Sequence, residues 1–186
     1  MIVALSNLIN AVMSYFNASP QQAIDCVSNL EIIHPYGRVG YLRWQQHSPL
    51  VEFGNSDCDL TNVAGGIQTF TESANKGIID DVKKLIGNAE TLVFLGYGFL
   101  EQNNALLRVE SSNVRRVFAT TYGISETDVP IIKDEILKIV SKREPKSLLH
   151  YQNKKFAEIF IERQYCRDLL DNHRFRLAQE PLQVIE

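Results

Sequence analysis

The run at residues 91–95 (TLVFL), closed by Gly96, narrows most sharply what this chain can fold into. A continuous apolar stretch without alternation predicts a strand buried on both faces, the kind found in parallel sheets. A second run at 116–120 (RVFAT) has the same character. A third, at 31–34 (EIIH), is predicted to end at Pro35, since proline has no N–H for a ladder and Gly37 follows. Helical periodicity lies between these runs, and alternating strands and helices are the grammar of an α/β fold with right-handed crossovers. Three strands are few for a doubly wound sheet, which ordinarily has about five or six. The expected architecture is therefore a partial Rossmann-like parallel sheet flanked by helices, with the first strands of the domain missing.

The helices follow from spacing and punctuation. Val3, Leu5, Leu8, Ile9, Val12, Met13 and Phe16 recur at helical intervals and predict a helix ending near Asn17. Ser19 is placed to cap a second helix, with Pro20 at its first position and Ala23, Ile24 and Val27 on its buried face up to Leu30. Residues 45–76 are loop-rich, punctuated by Pro49, Gly54, Gly65 and Gly66, with room for one short helix. Ile78, Ile79, Val82, Leu85 and Ile86 mark a helix that Gly87 is expected to stop. Another begins near Glu101 and carries Ala105, Leu106, Leu107 and Val109. Ser125 and Asp128 approximate a capping box for a helix to about Lys142, with Pro130 in its opening turn. After Pro145 a last helix is predicted from about Gln152 to Leu170, with Phe156, Ile159, Phe160 and Leu169 inward. On this reading residues 1–171 form one domain and 172–186 a loosely held tail.

With 45% hydrophobic and 22% charged residues, the 186-residue chain has the composition of one ordinary globular domain. A formal charge of −3 argues against a general nucleic-acid binder, which needs a basic face. Cys26, Cys58 and Cys166 are odd in number and far apart, which indicates neither a disulfide framework nor a zinc site and fits a reducing cytoplasm. His47, His150 and His173 lie in separate segments, so no metal site is expected. The apolar N-terminal stretch lacks a basic leader, and Ser6, Asn7, Asn10 and Ser14 interrupt it short of a membrane span.

Open α/β sheets bind ligands at the carboxyl ends of their strands, and each predicted strand here ends in a polar or glycine-bearing loop. These loops are His34-Pro35-Tyr36-Gly37, Gly96-Tyr97-Gly98-Phe99 and Thr120-Thr121-Tyr122-Gly123. Glycine lets backbone approach a ligand, and tyrosine offers a stacking face and a hydroxyl. Any one loop is explained as a tight strand-to-helix turn with a boundary tyrosine; three together point to a ligand edge. Gly96-x-Gly98 lacks the third glycine of the dinucleotide fingerprint, and the next strand ends in Ala119-Thr120-Thr121 rather than in an acid. The dehydrogenase form of the fingerprint is thereby excluded. His34 is a candidate general base by its pKa range, set against a plain strand-end histidine bonded to backbone. No G-x-S-x-G elbow and no P-loop occurs.

The segments EIIHPYGRVG, TLVFLGYGFLEQNNALL and RVFATTYGIS, in this order, resemble the later part of bacterial sirtuin-like domains. That group is related to NAD-consuming deacylases and to NAD-depleting antiphage proteins. The resemblance runs from about Leu5 to about Phe160 and rests chiefly on the first two segments. It implies that Gly37 follows the position of the catalytic histidine, where this chain has Tyr36, with His34 two residues earlier. Tyrosine, with a pKa of about 10, is a poorer base at neutral pH. Either His34 has taken over the proton transfer or this branch does not carry out deacylase chemistry. The resemblance further implies that Gly96, Tyr97, Gly98 and Phe99 form a nucleotide loop, with Gly98 where a serine is common. Thr120, Thr121 and Tyr122 would make adenine and ribose contacts, and Asn103 and Asn104 would reach the same cleft.

Sirtuin-like domains normally open with a strand and a Gly-Ala-Gly-x-Ser type loop that holds the pyrophosphate, and residues 1–30 contain no such motif. The expectation is a truncated sirtuin-like domain or half of a split protein, inactive alone and binding NAD weakly, completed by a homo-oligomer or a partner chain. The rival expectation is a non-enzymatic interaction module whose incomplete sheet exposes an edge for pairing.

Overall fold

The computed structural model describes residues 2–36, 40–42, 44–45, 51–52, 59–66, 76–140 and 157–179, and falls into two compact units, Met1–Ile78 and Ile79–Glu186. It is mixed α/β, with two small parallel sheets. Among the described residues no helix is long and apolar enough to cross a membrane.

In the first unit α1 (Ile2–Phe16) packs on α2 (Pro20–Ser28), burying Leu5, Ala23 and Val27. Asn17 ends α1 in the left-handed region at φ 50°, and the Ala18 N–H reaches back to the Met13 carbonyl at 3.2 Å. That is the six-residue closure in which asparagine replaces the usual glycine. Ser19 caps α2 as predicted, and Gln22 completes a reciprocal box: its N–H donates to Ser19 Oγ, and its Oε1 accepts from the Ser19 N–H at 2.8 Å. Residues 31–34 are not a strand. Two isoleucines between a helix end and Pro35 offer too short a ladder. Among the described residues the strands of this unit are instead β1 (Gly40–Tyr41) and β2 (Val51–Glu52), paired in parallel, followed by α3 (Leu60–Gly65).

The second unit holds a three-stranded parallel sheet in the order β3-β4-β5, made of β3 (Thr91–Phe94), β4 (Arg116–Thr120) and β5 (Glu158–Glu162). It is preceded by α4 (Lys76–Asn88). Gly87 lies inside α4 rather than beyond its end, and its carbonyl accepts from the Asn113 N–H at 2.9 Å. The short α5 (Glu101–Leu107) links β3 to β4, and α6 (Val129–Val140) links β4 to β5. Parallel neighbours require such crossovers. Ser125 caps a 3-10 turn at Glu126–Asp128 by accepting from the Thr127 N–H, so the predicted box with Asp128 is replaced by a tighter turn leading into α6.

The third strand corrects the expected helix over 152–170. The Glu158–Glu162 portion is β5, α7 spans Cys166–Ala178, and residues 152–156 lie outside the described residues. The stretch from Asn172, expected to be a loose tail, continues α7 through Ala178, with His173 buried.

β4 is central and buried along its whole length, as its apolar run predicts. Its residues alternate between two layers. Val117 and Ala119 join Ile132, Ile136, Ile139 and Val140 of α6, whose spacing makes a single helical stripe. Each of those large side chains stabilises the fold by about 1.5–3 kcal/mol on burial. Phe118 faces the α7 layer, stacked on Phe160 at 4.9 Å and tilted against His173 at 5.0 Å. β3 is an edge strand, not one buried on both faces: Val93 is 39% exposed.

Candidate functional site

Parallel pairing brings the carboxyl ends of β3, β4 and β5 to one edge. Phe94 is in register with Ala119 and Thr120 with Glu162, so the loops that follow start side by side. The predicted segments Gly96–Phe99 and Thr120–Tyr122 are thus brought together within the second unit.

Their junction is specific. Gly96 sits at φ +62°, and its N–H donates to Thr120 Oγ1 at 2.9 Å. Thr120 Oγ1 also lies 3.4 Å from the Phe94 carbonyl and 3.9 Å from Cys166 Sγ, in the first turn of α7. Glycine is needed at 96 because a side chain in that region costs about 1–2 kcal/mol. The Thr121 N–H donates to the Glu162 carbonyl at 2.9 Å, extending the β4–β5 ladder into the loop. Thr120 and Thr121 are both buried, so they shape this edge from beneath.

Tyr122 is exposed and stacks on Tyr165, with ring centroids 4.1 Å apart and planes 24° apart. The Tyr165 hydroxyl donates to that of Tyr122 at 2.7 Å. Donating this bond favours the protonated phenol and raises the Tyr165 pKa. The pair forms an exposed aromatic platform beside the glycine loop.

Within the loop, Gly98 is exposed, and a Cβ built there meets nothing within 4 Å. The rings on either side turn inward. Tyr97 packs edge-on to Phe99 at 4.9 Å and tilted against Phe94 at 5.4 Å, while Phe99 is only 9% exposed. A ligand at this loop therefore meets the backbone at Gly98 rather than the face of Phe99. Phe99 has φ 50°, a strained conformation for a bulky residue. Asn103 is half-buried in the first turn of α5.

His34 and Tyr36 belong to the first unit, where both are half-buried, and Gly37 lies outside the described residues. Sequence reasoning missed Tyr165 and Cys166. The signal that could have found them is the run EIFIE: read as a strand, it makes the residues after Glu162 part of the carboxyl edge. Among the described residues no group of three or more His, Cys, Asp or Glu side chains is arranged to hold a metal ion.

Compared with known proteins, the chain matches no protein-family model, no curated protein and no solved structure.

Proposed function

We propose that the second unit binds NAD or a related nucleotide across the carboxyl edge of β3-β4-β5, as a sirtuin-like protein of the NAD-binding or NAD-hydrolysing kind. The observation that carries this reading is the bond from the Gly96 N–H to Thr120 Oγ1, which joins the two loops that the sequence resemblance assigns to the nucleotide. The exposed Gly98 backbone is open to a phosphate or ribose, and the Tyr122–Tyr165 platform offers a face for a base. The site lies where parallel α/β sheets ordinarily take their ligands.

Calorimetric titration with NAD tests this directly. Saturable heat is expected, with affinity reduced at least about tenfold in Gly98→Val, whose side chain occupies the open approach. Nicotinamide release is followed in the same samples as the readout of turnover. Absence of heat at millimolar NAD would retire the nucleotide reading in favour of an interaction module. That second reading is favoured by the edge strand β3, where Val93 is 39% exposed, and by Leu95 just beyond it, 44% exposed. Light scattering would then report self-association.

A further inference from the structure

The conformation of Phe99 needs an explanation outside the loop. Its backbone is left-handed while its ring is buried, so the chain is held there from two sides. The ring is anchored in the core, and the carbonyl accepts from Asn104 Nδ2 at 2.9 Å. The same amide donates to Glu135 Oε2 at 3.2 Å. Glu135, on α6, is fixed in turn by Lys138 Nζ at 2.6 Å and by Arg108 at 3.1 Å, and Arg108 also pairs with Glu101 at 2.7 Å. A run of side-chain bonds thus leads from α6 through a fully buried asparagine to the carbonyl that closes the glycine loop.

Stability alone does not account for Asn104. Its Oδ1 is buried with no hydrogen-bond partner among the described residues, a costly state that an apolar side chain of similar volume avoids. What the amide does, and a leucine cannot, is bond Phe99 and Glu135 at once. We infer that Asn104 and Glu135 are positioning residues that lock Phe99 in its left-handed conformation and, through it, the 96–99 loop; resting on the nucleotide reading above, this lock is what presents the Gly98 backbone to the ligand.

Amide hydrogen exchange of the full chain tests the lock without ligand. In Asn104→Leu, which keeps the volume, the amides of Gly96 and its loop neighbours should exchange about tenfold faster, while those of Val117–Ala119 in β4 stay protected. Glu135→Gln retains a carbonyl acceptor for the Asn104 amide and should leave loop exchange at the parent rate. Glu135→Ala removes the acceptor and should speed it about threefold. Unchanged loop exchange in Asn104→Leu, or acceleration equal to that of β4, would overturn the inference, as would identical behaviour of the two Glu135 variants. Titration of the parent protein with NAD is read separately. Absence of heat there discards the nucleotide reading, while loop exchange still decides whether the lock exists.

Discussion

Gly96 and Gly98 stand two residues apart in one loop and make different demands on a side chain. At Gly96 the backbone is left-handed, although a Cβ would approach nothing closer than Cys166 Sγ at 3.9 Å. The cost of Gly96→Ala is therefore conformational, about 1–2 kcal/mol. Gly98→Ala meets neither a positive φ nor a neighbour and should stay within about 0.5 kcal/mol of the parent. Exchange free energies of the β4 amides measure both. The tyrosine pair permits a second check at this scale. Tyr122→Phe removes the acceptor that holds the Tyr165 phenol protonated, so Tyr165 should titrate at lower pH in the variant, read by ultraviolet absorbance. Gly96, Thr120 and Tyr122 were legible as edge residues because each follows an apolar run at a strand end. Tyr165 and Cys166 were not, since the run before them reads equally well at helical spacing.

At the scale of elements, legibility follows the number of constraints that agree. α2 has a cap, a first-turn proline and an apolar face, and each appears where the pattern puts it. β4 is apolar throughout and occupies the centre of its sheet. TLVFL has a similar composition, but an edge position leaves Val93 uncovered, and only strand order distinguishes the two. In residues 156–169, Phe156, Ile159, Phe160 and Leu169 satisfy helical spacing, whereas EIFIE alternates Glu158, Phe160 and Glu162 toward the α7 layer against Ile159 and Ile161 toward α6. Parallel pairing with β4 decided that competition. The first residue of β4 also terminates α7. Arg116 is buried, and its guanidinium donates to the carbonyls of Arg176 and Gln179, each at 2.6 Å, and to Thr91 Oγ1 at 3.3 Å. A cation at a helix C-terminus satisfies end carbonyls and opposes the dipole together. Arg116→Met should destabilise by about 1.5–3 kcal/mol. The loss should appear first as faster exchange of the Gln179 amide, which is bonded to the Phe175 carbonyl.

For the molecule as a whole, a formal charge of −3 says little about stability, because the charges differ greatly in how firmly they are held. Among the described residues Glu135 is held by three side-chain partners. The bond from Lys138 is the largest influence, and with those from Arg108 and Asn104 it outweighs burial, bringing the carboxyl down to about 2 from an ordinary 4.5. A carboxylate whose folded pKa lies below its unfolded value stabilises the fold fully above the unfolded value, and the contribution disappears as pH falls through the folded one. The relevant window is therefore pH 4.5 down to about 2. Lys138 and Arg108 reach solvent, with side chains 43% and 33% exposed, so screening reduces the contribution to about 1–2 kcal/mol. Urea unfolding between pH 7 and pH 2.5 should show the parent losing about that much more stability than Glu135→Gln, whose side chain cannot ionise. The gap should narrow in high salt, because the paired cations are partly exposed. Parallel curves for the two proteins would mean that the α5–α6 ion cluster contributes no pH-dependent stability. Convergence at low pH would tie the element that holds the glycine loop to the acid resistance of the whole second unit.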